Sequence, residues 1–456
     1  MSTTSASGAT KQPGLERTLS LAQGTAINII DMVGIGPFIT VSLVVEAMQG
    51  PACVLAWVLG ALLAYTDGMV WAELGAKWPE AGGSYVFLNR LYGKSLLARL
   101  MPFLFVWQTI IQAPLTMASA SIGFSQYLQY LIPMSTLAQK AVSGSLVILV
   151  VVILYRNIQT VGKISLVFGL VTAGTLLWII GSGLPHFNTA QAFHWDFSHF
   201  DTHFLLCAAM GNATLQAVYS YLGYYNIVHL GSEIKRPEKN IPRSIFFSVT
   251  GIAICYIGMQ LALLGTLNWQ TIAGSKFVIS TYIEHLYNGR VANIATILIL
   301  VIASSSLFAL TLGYSRVPYA AAQKGDFFPI FGKVHPKHKF PHVSLLALGI
   351  LGFVFSLLFK MKYVITAIIT MRILIQFIGQ SVGLLYWHKT KPRDERPYKM
   401  PLFPLPALLS MSIWLFILFS SHWLYILLAI GFIVIGVGLF FVKERFFSKP
   451  AGAGLK

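Results

Sequence analysis

Apolar stretches of about 20 residues recur along this 456-residue chain, each the length a helix needs to cross a hydrocarbon core about 30 Å thick. In lipid, backbone donors and acceptors must be paired inside the protein, and runs of this length satisfy that as helices. Composition agrees, since 56% hydrophobic and 10% charged residues leave too little polar cover for a water-facing fold of this size. The fold class is all-α integral membrane, with twelve transmembrane helices expected to begin near 22, 52, 97, 141, 162, 203, 243, 291, 342, 363, 403 and 424.

The net charge of +17 is spread over short connectors and not gathered on one soluble face, which argues against nucleic acid as a partner. Of the 32 Lys and Arg, 25 fall in alternate connectors counted from the N-terminus and 5 in the others, namely Lys140, Lys276, Arg290, Lys360 and Lys362. Lys163 and Arg372 lie inside spans. Positive residues concentrate on the cytoplasmic side, so both termini are expected there, in a multi-pass protein of the cell (inner) membrane. Residues 1–20 read as a polar cytoplasmic tail without a cleavable signal, and 446–456 as a second cytoplasmic tail. Cys53, Cys207 and Cys255 sit in apolar segments as small packing residues. His186, His194, His199 and His203 cluster around an outer loop, 186–202, but lack tight ligand spacing and fit a solvated interfacial loop, so no metal or cofactor is expected.

Two spans are interrupted. The first reads Asp31-Met32-Val33-Gly34-Ile35-Gly36-Pro37-Phe38, with a carboxylate one turn before a Gly-x-Gly-Pro break. The sixth reads Tyr219-Ser220-Tyr221-Leu222-Gly223-Tyr224-Tyr225-Asn226. Small residues alone fit close helix contact, but Pro37 favours a real break. Spans one and six hold matching positions in two five-helix halves, where broken helices point to a midplane substrate site. Half-helix N-termini would bind an anionic group there and freed carbonyls a cation, a combination that suits an amino acid zwitterion.

With these breaks go further motifs in order: Trp71-Ala72-Glu73-Leu74-Gly75 with Pro79 and Gly82-Gly83-Ser84-Tyr85; Glu233, Pro237 and Asn240-Ile241-Pro242-Arg243; Ser315-Arg316 with Gly325-Asp326-Phe327-Phe328-Pro329; and Arg396-Pro397-Tyr398-Lys399-Met400-Pro401. Together they resemble the amino acid, polyamine and organocation transporter superfamily, most closely its branch of amino acid permeases and L-type exchangers. The resemblance implies a five-plus-five inverted-repeat core of the leucine-transporter type, made of 21–185 and 203–390, with peripheral helices in 391–445. It also implies alternating access, with Asp31, Met32, Val33, Gly34, Ile35, Gly36, Tyr219, Ser220, Tyr221, Gly223 and Tyr224 at the substrate. Tyr219 matches the aromatic gate. Lys163 matches a helix 5 lysine that stands where sodium-coupled relatives hold a cation, although its place near a span start also fits snorkelling to the interface.

The departures bear on substrate. Ile35 replaces a serine of the family pattern, Pro37 lacks an amide, and Leu222 replaces a glycine. Asp31 is a mid-membrane carboxylate, costly unless paired or protonated. It reads as a counter-ion for a second amino group, as a proton carrier, or as half of a structural pair. The leading expectation is a secondary transporter of amino acids, by proton symport or exchange without sodium; the alternative is a polyamine or other organic cation. An accessory subunit stays open. No converging set of catalytic groups suggests an enzyme, and no symmetric lined pore suggests a channel.

Overall fold

The computed structural model describes residues 15–195, 208–358 and 369–447. Among them secondary structure is helical, with only two isolated β-bridges. The first half comprises α1 (Leu21–Met32), α2 (Gly36–Met48), α3 (Val54–Lys77), α4 (Ser84–Leu91), α5 (Leu97–Leu128), α6 (Thr136–Leu154), α7 (Ile158–Gly183) and the single turn α8 (Thr189–Ala192). The rest comprises α9 (Ala208–Tyr221), α10 (Asn226–His229), α11 (Pro237–Thr266), α12 (Trp269–Gly274), α13 (Val278–Leu286), α14 (Gly289–Tyr314), α15 (Arg316–Gln323) and α16 (His342–Leu358). A π-helical segment α17 (Ile373–Ile378) runs into α18 (Gly379–Thr390), followed by α19 (Leu405–Ser420) and α20 (Trp423–Phe447).

Eight of these helices are long and apolar enough to cross a membrane, nine when the bent pair α1–α2 counts as one span, and α16 and α19 are shorter apolar helices. This is a multi-pass membrane architecture. Several spans start earlier than hydropathy alone places them, because polar residues cap them outside the apolar run. Ser135 accepts from the Ala138 amide ahead of α6, and Asn157 from the Thr160 amide ahead of α7.

The break in the first span has a local cause. Ser20 and Gln23 form a capping box that starts α1, and the Val33 amide closes the helix on the Ile29 carbonyl. Pro37 then occupies the first turn of α2, where its missing N–H is tolerated. The two half-helices are bent by 46°. Gly34 is needed for the approach of α14, since a Cβ there would lie 2.5 Å from Ser306 Oγ.

Helices α1, α3, α9 and α14 form the centre. Of the apolar window in Gly289–Gln323, 72% is buried, against 17% in Trp423–Arg445 of α20, which lies at the periphery. Leu149 and Val152 of α6, Leu170 and Leu177 of α7, and Leu428 and Val434 of α20 are exposed. An apolar surface of this extent needs a non-aqueous solvent, and lipid supplies it. Cys53 and Cys255 are free thiols. Cys207, His199, His203, Lys360 and Lys362 lie outside the described residues. No group of three or more metal-ligating side chains occurs among the described residues, His186 and His194 included.

Candidate substrate site

Both breaks are fastened to the same neighbours. Tyr256 of α11 is buried, and its hydroxyl lies 2.9 Å from the Met32 carbonyl and 3.1 Å from the Ser220 carbonyl, donating to the last turns of α1 and α9. These carbonyls have lost their intrahelical partners, so the tyrosine supplies what each helix end lacks. Asn28 adds a second tie: its side-chain amide donates to the Tyr224 carbonyl at 2.7 Å and accepts from the Ile227 amide at 2.9 Å. Thr40 and Ser220 share a hydrogen bond of 2.7 Å between α2 and α9. Gly223 makes the closest crossing, at φ 122°, where a Cβ would come within 2.8 Å of the Asp31 carbonyl carbon and the Met32 nitrogen.

Between the breaks lies a small cavity of about 50 Å³. Asp31, Gly34 and Gly36 form one wall, Tyr219 and Tyr225 another, and α5 contributes Thr116 and Ala120. Ser306, Leu310 and Tyr314 of α14 close a third side, with Arg372 beside them. Tyr219 shares a 2.6 Å hydrogen bond with Ser119 of α5 and so ties one rim of the cavity to that helix.

An acidic and a basic side chain face this space. Among the described residues the Asp31 carboxylate accepts no hydrogen bond; only its backbone carbonyl is engaged, by Ser306 Oγ at 3.4 Å. Arg372 is 2% exposed. Its guanidinium lies over the rings of Tyr225, Phe377 and Tyr314 at 5.0, 5.3 and 5.8 Å, and Nε donates to Gln376 Oε1 at 2.8 Å. Nη2 has no hydrogen-bond partner among the described residues. Asp31 and Arg372 line one cavity without forming an ion pair within 4 Å.

Of the residues expected at the substrate, Asp31, Met32, Gly34, Ile35, Gly36, Tyr219, Ser220 and Gly223 line the cavity. Val33, Tyr221 and Tyr224 do not. Val33 is packed in the core. The Tyr221 ring sits edge-on to Trp57 and Tyr256, and the Tyr224 hydroxyl donates to Asp67, whose Oδ2 also accepts from Trp71 Nε1 at 2.7 Å. Lys163 is exposed on α7 and does not line the cavity. Leu222, Tyr225 and Arg372 line it as well, beyond the residues that the family resemblance places at the substrate. For Arg372 the signal was present in the sequence, because an ionisable residue inside a span is by default a functional candidate.

The buried acidic residues Glu233 and Glu73, outside the cavity, act as ties. Glu233 and Arg316 form a buried two-pronged pair at 2.8 and 2.9 Å, and Glu73 accepts from the Met400 amide at 2.9 Å and contacts His388 Nε2 at 2.6 Å.

The family model described as "Amino acid permease" matches residues 19–451. Among curated relatives, the chain is 23% identical to a methylthioribose transporter of Bacillus subtilis (strain 168), over 96% of each chain. It is 23% identical to the branched-chain amino acid permease BcaP of the same organism, over 96% of this chain and 95% of the relative. It is 25% identical to the human cystine/glutamate transporter, over 93% of this chain and 84% of the relative. With a match that runs from the strap before α1 to beyond α20, the chain belongs to the amino acid permease family of the amino acid, polyamine and organocation superfamily.

Proposed function

We propose that this protein is a secondary active transporter of amino acids that works by alternating access around the cavity between the two breaks. The observation that carries the proposal is the joint fastening of both breaks by Tyr256 and Asn28 beside one shared cavity. Freed amides at the head of α2 suit a carboxylate, and Asp31 with the carbonyls of the breaks suits an ammonium. We read α16, α19 and the span through α9 as completing a set of twelve with the nine apolar spans. In this reading the core is a five-plus-five inverted repeat, 21–185 and 203–390, with the basic connectors and both termini in the cytoplasm.

In this reading transport proceeds by proton symport or exchange and without sodium; the names of two relatives, a branched-chain amino acid permease and a serine/threonine exchanger, support the movement of amino acids. Uptake of radiolabelled amino acids into liposomes, with and without a pH gradient, tests it. Uptake or exchange of at least one amino acid is expected, and none for any amino acid or amine defeats it. Asp31→Asn separates two roles for the carboxylate: loss of pH dependence with uptake retained marks a proton site, and loss of uptake marks a substrate anchor.

A polyamine or organic-cation substrate rests on Asp31 as counter-ion. Arg372 counts against it, because a second amino group in the same cavity meets a like charge in a low-dielectric site.

A further inference from the structure

A buried arginine with a purely structural role normally has a carboxylate against it, since an uncompensated charge in such a place is strongly destabilising. Among the described residues Arg372 has none within 4 Å. Asp31 faces the same cavity without pairing to it, and Asp67, whose Oδ2 accepts from Trp71 and Tyr224, forms no ion pair with it within 4 Å either. The aromatic faces of Tyr225, Phe377 and Tyr314 hold the guanidinium in place but do not neutralise it. One of its nitrogens, Nη2, is left without a partner.

We infer that Arg372 receives an anionic side-chain group, so that the substrate is an amino acid with a second acidic function. This rests on the amino acid transporter reading above and adds the substrate class to it. The cavity offers three recognition groups from three parts of the fold. The amides at the head of α2 take the α-carboxylate, and the Asp31 carboxylate takes the α-ammonium. Arg372, carried by the segment ahead of α17, takes the distal acid. A neutral side chain would leave the guanidinium desolvated and without an anion. A basic side chain would be repelled. A planar guanidinium also matches a carboxylate through two parallel N–H donors, which a point charge does not.

The test uses the full-length protein in liposomes, with radiolabelled L-glutamate, L-aspartate, L-leucine and L-lysine, and thermal shift with the same four ligands. Wild type should prefer L-glutamate or L-aspartate over L-leucine by at least about tenfold, and Arg372→Gln should lower that preference for the acids by about 10- to 100-fold. Arg372→Lys, which keeps the charge and loses the fork, should fall between. Should Arg372→Gln fail to fold, the wild-type rank order and Arg372→Lys decide. Transport of L-leucine with no preference for the acids overturns the inference and leaves the transporter reading standing. An equal loss for all substrates in Arg372→Gln also overturns it, by making Arg372 a positioning residue. No movement or binding of any amino acid by wild type defeats the transporter reading itself.

Discussion

Tyr256→Phe removes one oxygen atom and almost no volume, and it is the sharpest available test of how the two breaks are held. The hydroxyl satisfies the terminal carbonyls Met32 and Ser220 at 2.9 and 3.1 Å. A lost buried hydrogen bond costs about 1 kcal/mol, and stranding a buried acceptor costs up to about 3, so the substitution should destabilise by about 1–3 kcal/mol. Water from the adjoining cavity can reach the carbonyls and would bring the cost to the lower end. Tyr282→Phe is the matched control, because that buried hydroxyl donates to the Ile179 carbonyl at 3.2 Å, in α7 and away from the breaks. Thermal unfolding in detergent should register both variants. Only Tyr256→Phe should also change the KM or maximal rate of amino acid uptake. Wild-type stability together with wild-type transport in Tyr256→Phe would refute the view that this hydroxyl fixes the geometry of the site.

Other perturbations have equally defined outcomes. Gly223→Ala puts a Cβ 2.8 Å from backbone atoms of Asp31 and Met32 at φ 122°; with about 1–3 kcal/mol of backbone strain before any clash, monodisperse protein on size exclusion should fall and transport should be lost. Glu233→Gln strands Arg316 and should cost about 3–5 kcal/mol in thermal unfolding, whereas Glu233→Gln combined with Arg316→Met should cost less than the single change. The hydrogen bond from Lys77 holds the Asp394 carboxyl below its ordinary value. A depressed acid pKa stabilises above its unfolded value and loses that contribution as pH falls through the folded one, so the gap in melting temperature between wild type and Asp394→Asn should be present near neutrality and close below about pH 4.

The spans and their breaks could be read from the sequence because each depends on local chemistry. Apolar length sets a span, and Gly34, Gly36 and Pro37 together interrupt the first one between Met32 and Gly36. Facing was harder. Within an unwound segment the 3.6-residue period no longer applies, so Tyr224 and Tyr225 are equivalent as letters, yet one turns to Asp67 and the other to the cavity. Arg372 had a different obstacle. It directly precedes the π-helical segment Ile373–Ile378, where the wider turn shifts the phase of the helix against any regular pattern. Lys163 sits one residue beyond Gly162, which packs closely on Leu19 and Gln23. At 100° per residue that single step turns its side chain outward, and only the packing of α7 on α1 shows which step faces in.

Glu233 joins three separate parts of the chain. Its backbone carbonyl accepts from the amides of Thr18 and Leu19, its carboxylate grips Arg316, and next to it Lys235 donates back to the Leu19 carbonyl while Leu19 and Ile234 form a bridge. The segment ahead of α1, the link between α10 and α11, and the start of α15 are therefore closed by one knot. A knot of this kind does not loosen strand by strand, because releasing any thread exposes the donors and acceptors of the other two. Opening of that end of the bundle should then be a single cooperative event, and the amides of Thr18, Leu19 and Lys235 should exchange with deuterium at one shared rate.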